Sequence, residues 1–310
     1  MLNIIAFDVK SNIISTSNLH IFDMITLLIN KYNYEKINIE LLYKDCINDY
    51  LIKKYNKLPD NILIIKGSSN IRYFKTHNDI KISFIIDDVH QGGTIRHNRL
   101  KSLDRVTNIF NTYAYFFNVW YIKKKYNLYW MPHSTRFTDI ILNKNPINKI
   151  LITGRLNDNI YPNRKIIHNM SLKDNRLKYF KSNVGYRINK KNIKEKMIFG
   201  KKYLLLLNKY LCCFTCDANI NRPYLVAKHF EIMASGSLLL SCNPNTKKYF
   251  KMLGYIDMKH YISCNNENMI EKINFILDEQ NIELINKIRE NGYLYTIKNH
   301  NYEKRTEFLN

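Results

Sequence analysis

The sequence predicts an α/β protein with two Rossmann-like domains, each a parallel sheet covered by helices. Three observations predict it. Short apolar runs alternate, twice along the chain, with segments whose apolar residues recur at three- and four-residue steps, which is the pattern of successive βα units. A polar stretch containing Pro146, "TRFTDIILNKNPINK", holds neither period and separates the two series. The length, 310 residues, suits two domains of ordinary size, and 45% hydrophobic content supplies their cores.

In the first series "LNIIAFDV" reads as a strand and "STSNLHIFDMITLLINKY" as a helix opened by Ser, Thr and Asn. "INIELLY", "NILIIKG" (closed by Gly67), "KISFIIDDV", "RVTNIFNTY" and "YNLYWMP" read as further strands, with "AYFFNVWYIKKKY" a helix before the last. The second series runs from the strand "KILITGRL" through the helix "NRKIIHNMS" to the apolar "YLLLLNKYLCCFTC". The helix "RPYLVAKHFEIMAS", the strand "SLLLSC" and the segment "YIDMKHYISC" follow, then the helices "ENMIEKINFILDE" and "NIELINKIRENGYLYTIKN". The expected division is a first domain over 1–135, a linker over 136–147 and a second domain over 148–290. Residues 291–310 are expected to form a helix packing back toward the first domain. Two such domains would face each other across a cleft.

No apolar run reaches the roughly 18 residues that a membrane-spanning helix needs. The start, "MLNIIAFDVK", reads as a strand rather than a signal peptide, and a cytoplasmic protein is expected. Of six cysteines, Cys213 and Cys216 have CxxC spacing. No second Cys/His pair matches it, so buried thiols in a reducing compartment are expected, not a metal or redox site. The net charge is +22, but the lysines are scattered and no nucleic-acid motif accompanies them. A solvated basic surface is the default reading, and attraction to an anionic substrate, a nucleotide or a phosphorylated acceptor, is the second.

Three stretches carry candidate chemistry. In "YLVAKHFEIMASGSLLLS" Lys228 and Glu231 share one helix face, and Gly236 stops the helix ahead of a buried strand that Ser237 opens. An exposed pair of this kind stabilises a helix by only a few tenths of a kcal/mol. Here Phe230 and Met233 must pack inward, which pins the helix to the sheet. In "ILITGRLNDNIYPNR" a strand runs into Gly154 and Arg155, with Tyr161, Pro162 and Arg164 opening a helix. A glycine admits the backbone of a ligand site, arginines offer charge-assisted forks, and a helix start adds positive potential, so the stretch reads as a diphosphate site. In "FIIDDVHQGGTIRH" His90, or else Asp88 or Asp87, follows a middle strand of the first sheet, where it could deprotonate or orient an acceptor hydroxyl. A structural histidine fits that loop equally well. "YWMPHS", with Pro132 and His133, closes the first series, and "GSSNIRY" reads as a loop after a strand.

"KHFEIMASGSLLLS", "LGYIDMKHYISCNNENMIEKINFIL" and the terminal "HNYEKR" together resemble the donor domain of GT-B-fold glycosyltransferases. They are most similar to the group-1 branch related to spore-maturation glycosyltransferase-like proteins. Lys228, Glu231, Gly236, His300, Tyr302 and Arg305 fall on that branch's pattern, over roughly residues 148–310. The resemblance implies transfer of a sugar from a nucleotide-diphosphate donor, with Glu231 accepting from both ribose hydroxyls and Arg155 meeting the diphosphate. Arg164 stands in for a lysine that related enzymes carry after that arginine, and Gly154, Lys228, Gly236 and Ser237 complete the expected donor site. No metal and no cofactor is expected, because arginine, lysine and helix dipoles would neutralise the leaving diphosphate. The chain departs from the pattern at Pro223, where many group-1 enzymes place a glutamate against the sugar. That departure keeps a non-catalytic nucleotide-sugar or polyanion-binding protein as the alternative. The acceptor, whether glycan, protein or nucleic acid, stays open.

Overall fold

The structure is a computed structural model describing residues 1–7, 19–65, 73–86, 103–115, 117, 126–180, 198, 200–218 and 224–309. The chain separates into two units. Of the described residues, one unit holds those up to Phe7, from Ile21 to Pro132 and from Thr306 on, and the other holds Leu19, His20 and those from His133 to Arg305.

The first unit contains β1 (Asn3–Phe7), α1 (Leu19–Tyr32), β2 (Glu35–Asn38), α2 (Ile47–Tyr55), β3 (Asn61–Ile65), β4 (Lys81–Ile86), β5 (Asn108–Asn111) and β6 (Asn127–Trp130). The strands form one sheet in the order β2-β1-β3-β4-β5-β6, and every pair is parallel. Ile4, Ala6, Ile62, Ile64, Ile82 and Phe84 share a core beneath it. The sequence "INIELLY" is a strand only to Asn38. There the Asn38 side chain accepts the Glu40 N–H and turns residues Ile39–Tyr43 into a 3-10 helix.

In the second unit lie β7 (Ile147–Thr153), α3 (Pro162–Ser171), β8 (Leu177–Phe180), α4 (Lys201–Asn208), β9 (Tyr210–Cys216), α5 (Ala227–Ala234), β10 (Leu238–Cys242), α6 (Lys247–Met252), β11 (Ile262–Cys264), α7 (Met269–Leu277) and α8 (Ile282–Asn299). A last helix, α9 (Tyr302–Leu309), ends the described chain. The order β11-β10-β9-β7-β8 is again all parallel. Both β9 and β10 are buried along nearly their whole length, which is why they read as unbroken apolar runs. The apolar "YLLLLNKYLCCFTC" divides into α4 and β9, and "YIDMKHYISC" is a strand only over its last three residues.

Residues 136–147, read from sequence as a connection, are fastened to the second unit. Tyr293 donates to the Ile140 carbonyl at 2.6 Å, Asn208 to that of Ile141 at 3.1 Å, and Arg289 to that of Asn143 at 2.6 Å. The terminal His-x-Tyr-x-x-Arg pattern is also structural. His300 donates to the Leu253 carbonyl at 3.1 Å, and its other ring nitrogen accepts from Arg305 at 3.0 Å. Arg305 reaches on to the His133 carbonyl at 3.3 Å, while Thr135 and Tyr302 exchange backbone hydrogen bonds with this segment. His133 is buried in this cluster.

Candidate functional site

In a doubly wound sheet, ligands bind outside the carboxyl ends of the strands where the winding reverses. In the second unit β8 lies on one side of β7 and β9 on the other, so that point is the pair of ends at Thr153 and Cys216.

Gly154 follows β7 with φ +105°, a conformation that side chains rarely adopt. A Cβ there would also sit 3.1 Å from Lys228 Cε and 3.2 Å from Arg164 Nη1. Three residues far apart in sequence therefore converge where only glycine fits. Arg164 lies in the first turn of α3, which Pro162 opens at a position that needs no N–H donor. It is 3% exposed. Nη1 donates to the Arg155 carbonyl at 3.0 Å, the guanidinium stands 4.1 Å from the Tyr161 ring centre, and Nε is buried without a hydrogen-bond partner among the described residues. Among the described residues no carboxylate forms an ion pair with Arg164. Arg155 contributes its carbonyl to this contact, while its side chain is exposed.

Lys228 sits in the first turn of α5, with Nζ 5.7 Å from the ring centre of Tyr203. The buried Tyr203 hydroxyl is 2.7 Å from Thr153 Oγ1, and burial pushes its pKa up to about 12. Glu231 follows one turn along α5. Burial raises its carboxyl above the usual range, and the Lys228 charge works against that rise.

Gly236 and Ser237 do not join this group. They precede β10, at the amino end of a sheet whose carboxyl ends carry the other residues. Gly236 has φ +79°, and a Cβ there would lie 2.8 Å from Leu142 Cδ1. The Ser237 hydroxyl is committed to the Tyr210 carbonyl at 3.0 Å. Both residues close the return from α5 into the core. His90, Asp88 and Asp87, and Pro223 with them, lie outside the described residues. No group of three or more His, Cys, Asp or Glu among the described residues could hold a metal ion. The six cysteines form no disulfide, with Cys46 exposed and the others buried.

Two residues escaped the sequence reading. Asp217, 1% exposed, is the first residue after β9. Its carboxylate accepts the Asn245 N–H at 3.1 Å and a very short bond from the Thr246 hydroxyl, so it holds the loop between β10 and α6. Burial pushes its pKa up to about 7, against the pull of those donors. An acid directly after an apolar strand was the available signal. His229, fully buried beside Lys228, accepts the Val226 N–H at 3.0 Å. Burial first, then the nearby Arg164 and Lys228 charges, lower its pKa to about 3. Among the described residues its Nε2 has no hydrogen-bond partner, and neither do the buried Thr215 and Ser241 hydroxyls.

These shifts set a pH dependence. His229 and His300 both titrate near 3 in the fold, well below the ordinary 6.5. Between those values the unfolded chain binds more protons, so their contribution is present above pH 6.5 and is lost as the pH falls. Asp217 acts oppositely: raised from 3.8 to about 7, it keeps its proton in the fold, and its contribution falls as the pH rises through that window. Two histidines against one carboxyl leave a net rise of stability with pH between roughly pH 4 and 6.5 from these groups. Urea unfolding across that range should show the rise, and His300→Gln should flatten it. An unchanged slope in the variant would remove His300 from the account.

No protein-family model and no curated protein matches the sequence. The chain is similar in structure to HepE from Anabaena, solved with UDP and glucose, at TM-score 0.60 and 8% identity over 100% of this chain and 98% of that one. It is also similar to a glycosyltransferase from Rickettsia africae, at TM-score 0.55 and 11% identity over 99% of this chain and 96% of that one. TarM matches at TM-score 0.52 and 14% identity, over 86% of this chain and 57% of its own. The likeness is one of fold. With its two parallel Rossmann-like sheets, the chain has the GT-B architecture of glycosyltransferases.

Proposed function

We propose that the protein is a glycosyltransferase that takes a sugar from a nucleotide-diphosphate donor held by its second unit. One observation carries the reading: Arg164 is a buried guanidinium without a carboxylate partner among the described residues, packed with Lys228 against a glycine where no Cβ fits. A buried charge without a counter-ion is costly, and an anion at this place would relieve that cost. Its position outside the ends of β7 and β9 is where a doubly wound sheet takes a nucleotide.

In this reading Gly154, Arg155, Arg164 and Lys228 hold the diphosphate. Glu231, one turn below Lys228, takes the ribose hydroxyls, since one carboxylate can accept both. As the bond to the sugar breaks, the guanidinium and ammonium groups neutralise the charge that builds on the leaving diphosphate, so the proposed transfer needs no metal. His90 or Asp88 would serve the acceptor hydroxyl. The motifs around Lys228, Glu231 and His300 resemble the group-1, spore-maturation-like branch, which supports assigning the chain there, and the buried thiols suit a cytoplasmic setting. A second reading, a nucleotide-sugar-binding protein without transfer, is favoured by Pro223 at the position of the missing glutamate.

Calorimetry with UDP and GDP tests the donor site. Glu231→Ala should weaken the better ligand roughly ten- to hundredfold, the equivalent of one charge-assisted hydrogen bond of about 1.5–3 kcal/mol. Equal affinity in wild type and variant would sink the assignment. Binding by wild type with neither transfer nor donor hydrolysis, across a broad acceptor panel, would select the second reading.

A further inference from the structure

Helix α6 carries Lys247, Lys248 and Lys251, which line a hollow of about 400 Å³ together with Tyr255, Ile256, Asp257 and Tyr261. The hollow lies beside the start of the edge strand β11, whereas the donor-site residues follow the ends of β7 and β9. Lys259 adds a fourth exposed ammonium. The single acid of the hollow, Asp257, is already paired with Lys247 at 2.8 Å and accepts the Ser263 hydroxyl. Among the described residues no carboxylate forms an ion pair with Lys248, Lys251 or Lys259.

Exposed apolar side chains are interspersed with these lysines along residues 247–259, and one of them, Ile256, lines the hollow. Met252 is 56% exposed, Ile256 52% and Met258 41%. Met258 has φ +60°, a left-handed conformation that glycine or asparagine would occupy more easily. The turn that holds it there is firm. Its N–H donates to the Tyr261 carbonyl at 2.8 Å, and the His260 N–H to that of Ile256 at 2.9 Å. Beneath the turn, Tyr261 stacks on Phe250 with ring centres 4.5 Å apart.

We propose that this face binds the surface of an anionic membrane, with the lysines at headgroup phosphates and Met252, Ile256 and Met258 entering the acyl boundary. The combination of basic and projecting apolar side chains is that of interfacial binding. A nucleic acid or an acidic glycan would answer the lysines but leave three apolar side chains in water. The two tyrosines of the hollow are 2% and 1% exposed, so they offer no platform on which bases could stack. No helix among the described residues is long and apolar enough to cross a membrane.

Co-sedimentation with phosphatidylcholine vesicles, with and without phosphatidylglycerol, tests the proposal on the full chain. Binding is expected only to the anionic vesicles. Lys248→Glu/Lys251→Glu should lower it on the order of a hundredfold, while the charge-matched Lys53→Glu/Lys57→Glu in the first unit should lower it far less. Met252→Ser/Met258→Ser keeps every charge and should still lower it about tenfold. Brominated acyl chains should quench the emission of Ile256→Trp beyond the quenching of the wild type, whose Trp120 and Trp130 set the background, which decides the matter even if the charge variants misfold. Equal losses in both charge-reversed pairs, or no quenching, would overturn the proposal in favour of general adsorption by net charge. Heparin or single-stranded DNA binding that depends on the lysines and not on the methionines would overturn it in favour of a polyanion.

Discussion

Arg164→Met is expected to reduce UDP affinity by about 10²–10⁴ while leaving the free protein as stable as wild type, or more so. The loss follows from removing two charge-assisted hydrogen bonds from a diphosphate, each about 1.5–3 kcal/mol. Methionine is unbranched and of similar reach, so it can fill the space under Tyr161 without a charge. Replacing an uncompensated buried charge with an apolar chain is often neutral or stabilising. Calorimetry and thermal unfolding of the same preparation read both quantities. Strong destabilisation with unchanged UDP affinity would make the guanidinium a structural group, tied to the Arg155 carbonyl and nothing else.

Gly292→Ala should destabilise the protein by about 3 kcal/mol or more, although in an isolated helix the same change stabilises by about 1 kcal/mol. Gly292 lies within α8, and a Cβ there would stand 2.1 Å from the His260 carbonyl oxygen. That oxygen is backbone, so relief requires the helix or the turn at His260 to move. Chemical denaturation measures the effect, and an alanine variant as stable as wild type would show that the helix shifts at little cost. The turn concerned is the one that presents Met258, so the variant should also weaken vesicle binding.

Much of the fold was legible because periodicity reports local geometry. The runs "NILII" and "LLLSC" are largely apolar without alternation because both faces of a parallel sheet are covered, and each is a strand in the structure, as is "KISFII". Boundaries were legible only where a residue imposed them, as Pro162 does at the start of α3. Where α4 meets β9 in "YLLLLNKYLCCFTC", helix and strand are equally apolar, and a continuous run carries no mark of the change. The strand β8 was missed because its four residues are too few to show a period, and the helix expected over 291–310 is divided between the end of α8 and α9.

The sequence by itself determined that a strand ends in Gly154 and Arg155, that Arg164 opens the next helix, and that Lys228 and Glu231 share a helix face. These are consequences of spacing along one local element. Only the tertiary structure decided that Arg164 turns back onto Gly154, that Lys228 arrives beside it, and that Asp217 fastens the neighbouring loop. It also decided that Gly236 and Ser237 lie at the other end of the sheet, although they are closer in sequence to Glu231 than Gly154 is. The physical reason is the crossover: in a parallel sheet each helix carries the chain from the carboxyl ends of the strands back to the amino ends. Residues one helix apart are thereby placed at opposite edges, while residues many strands apart are gathered at one.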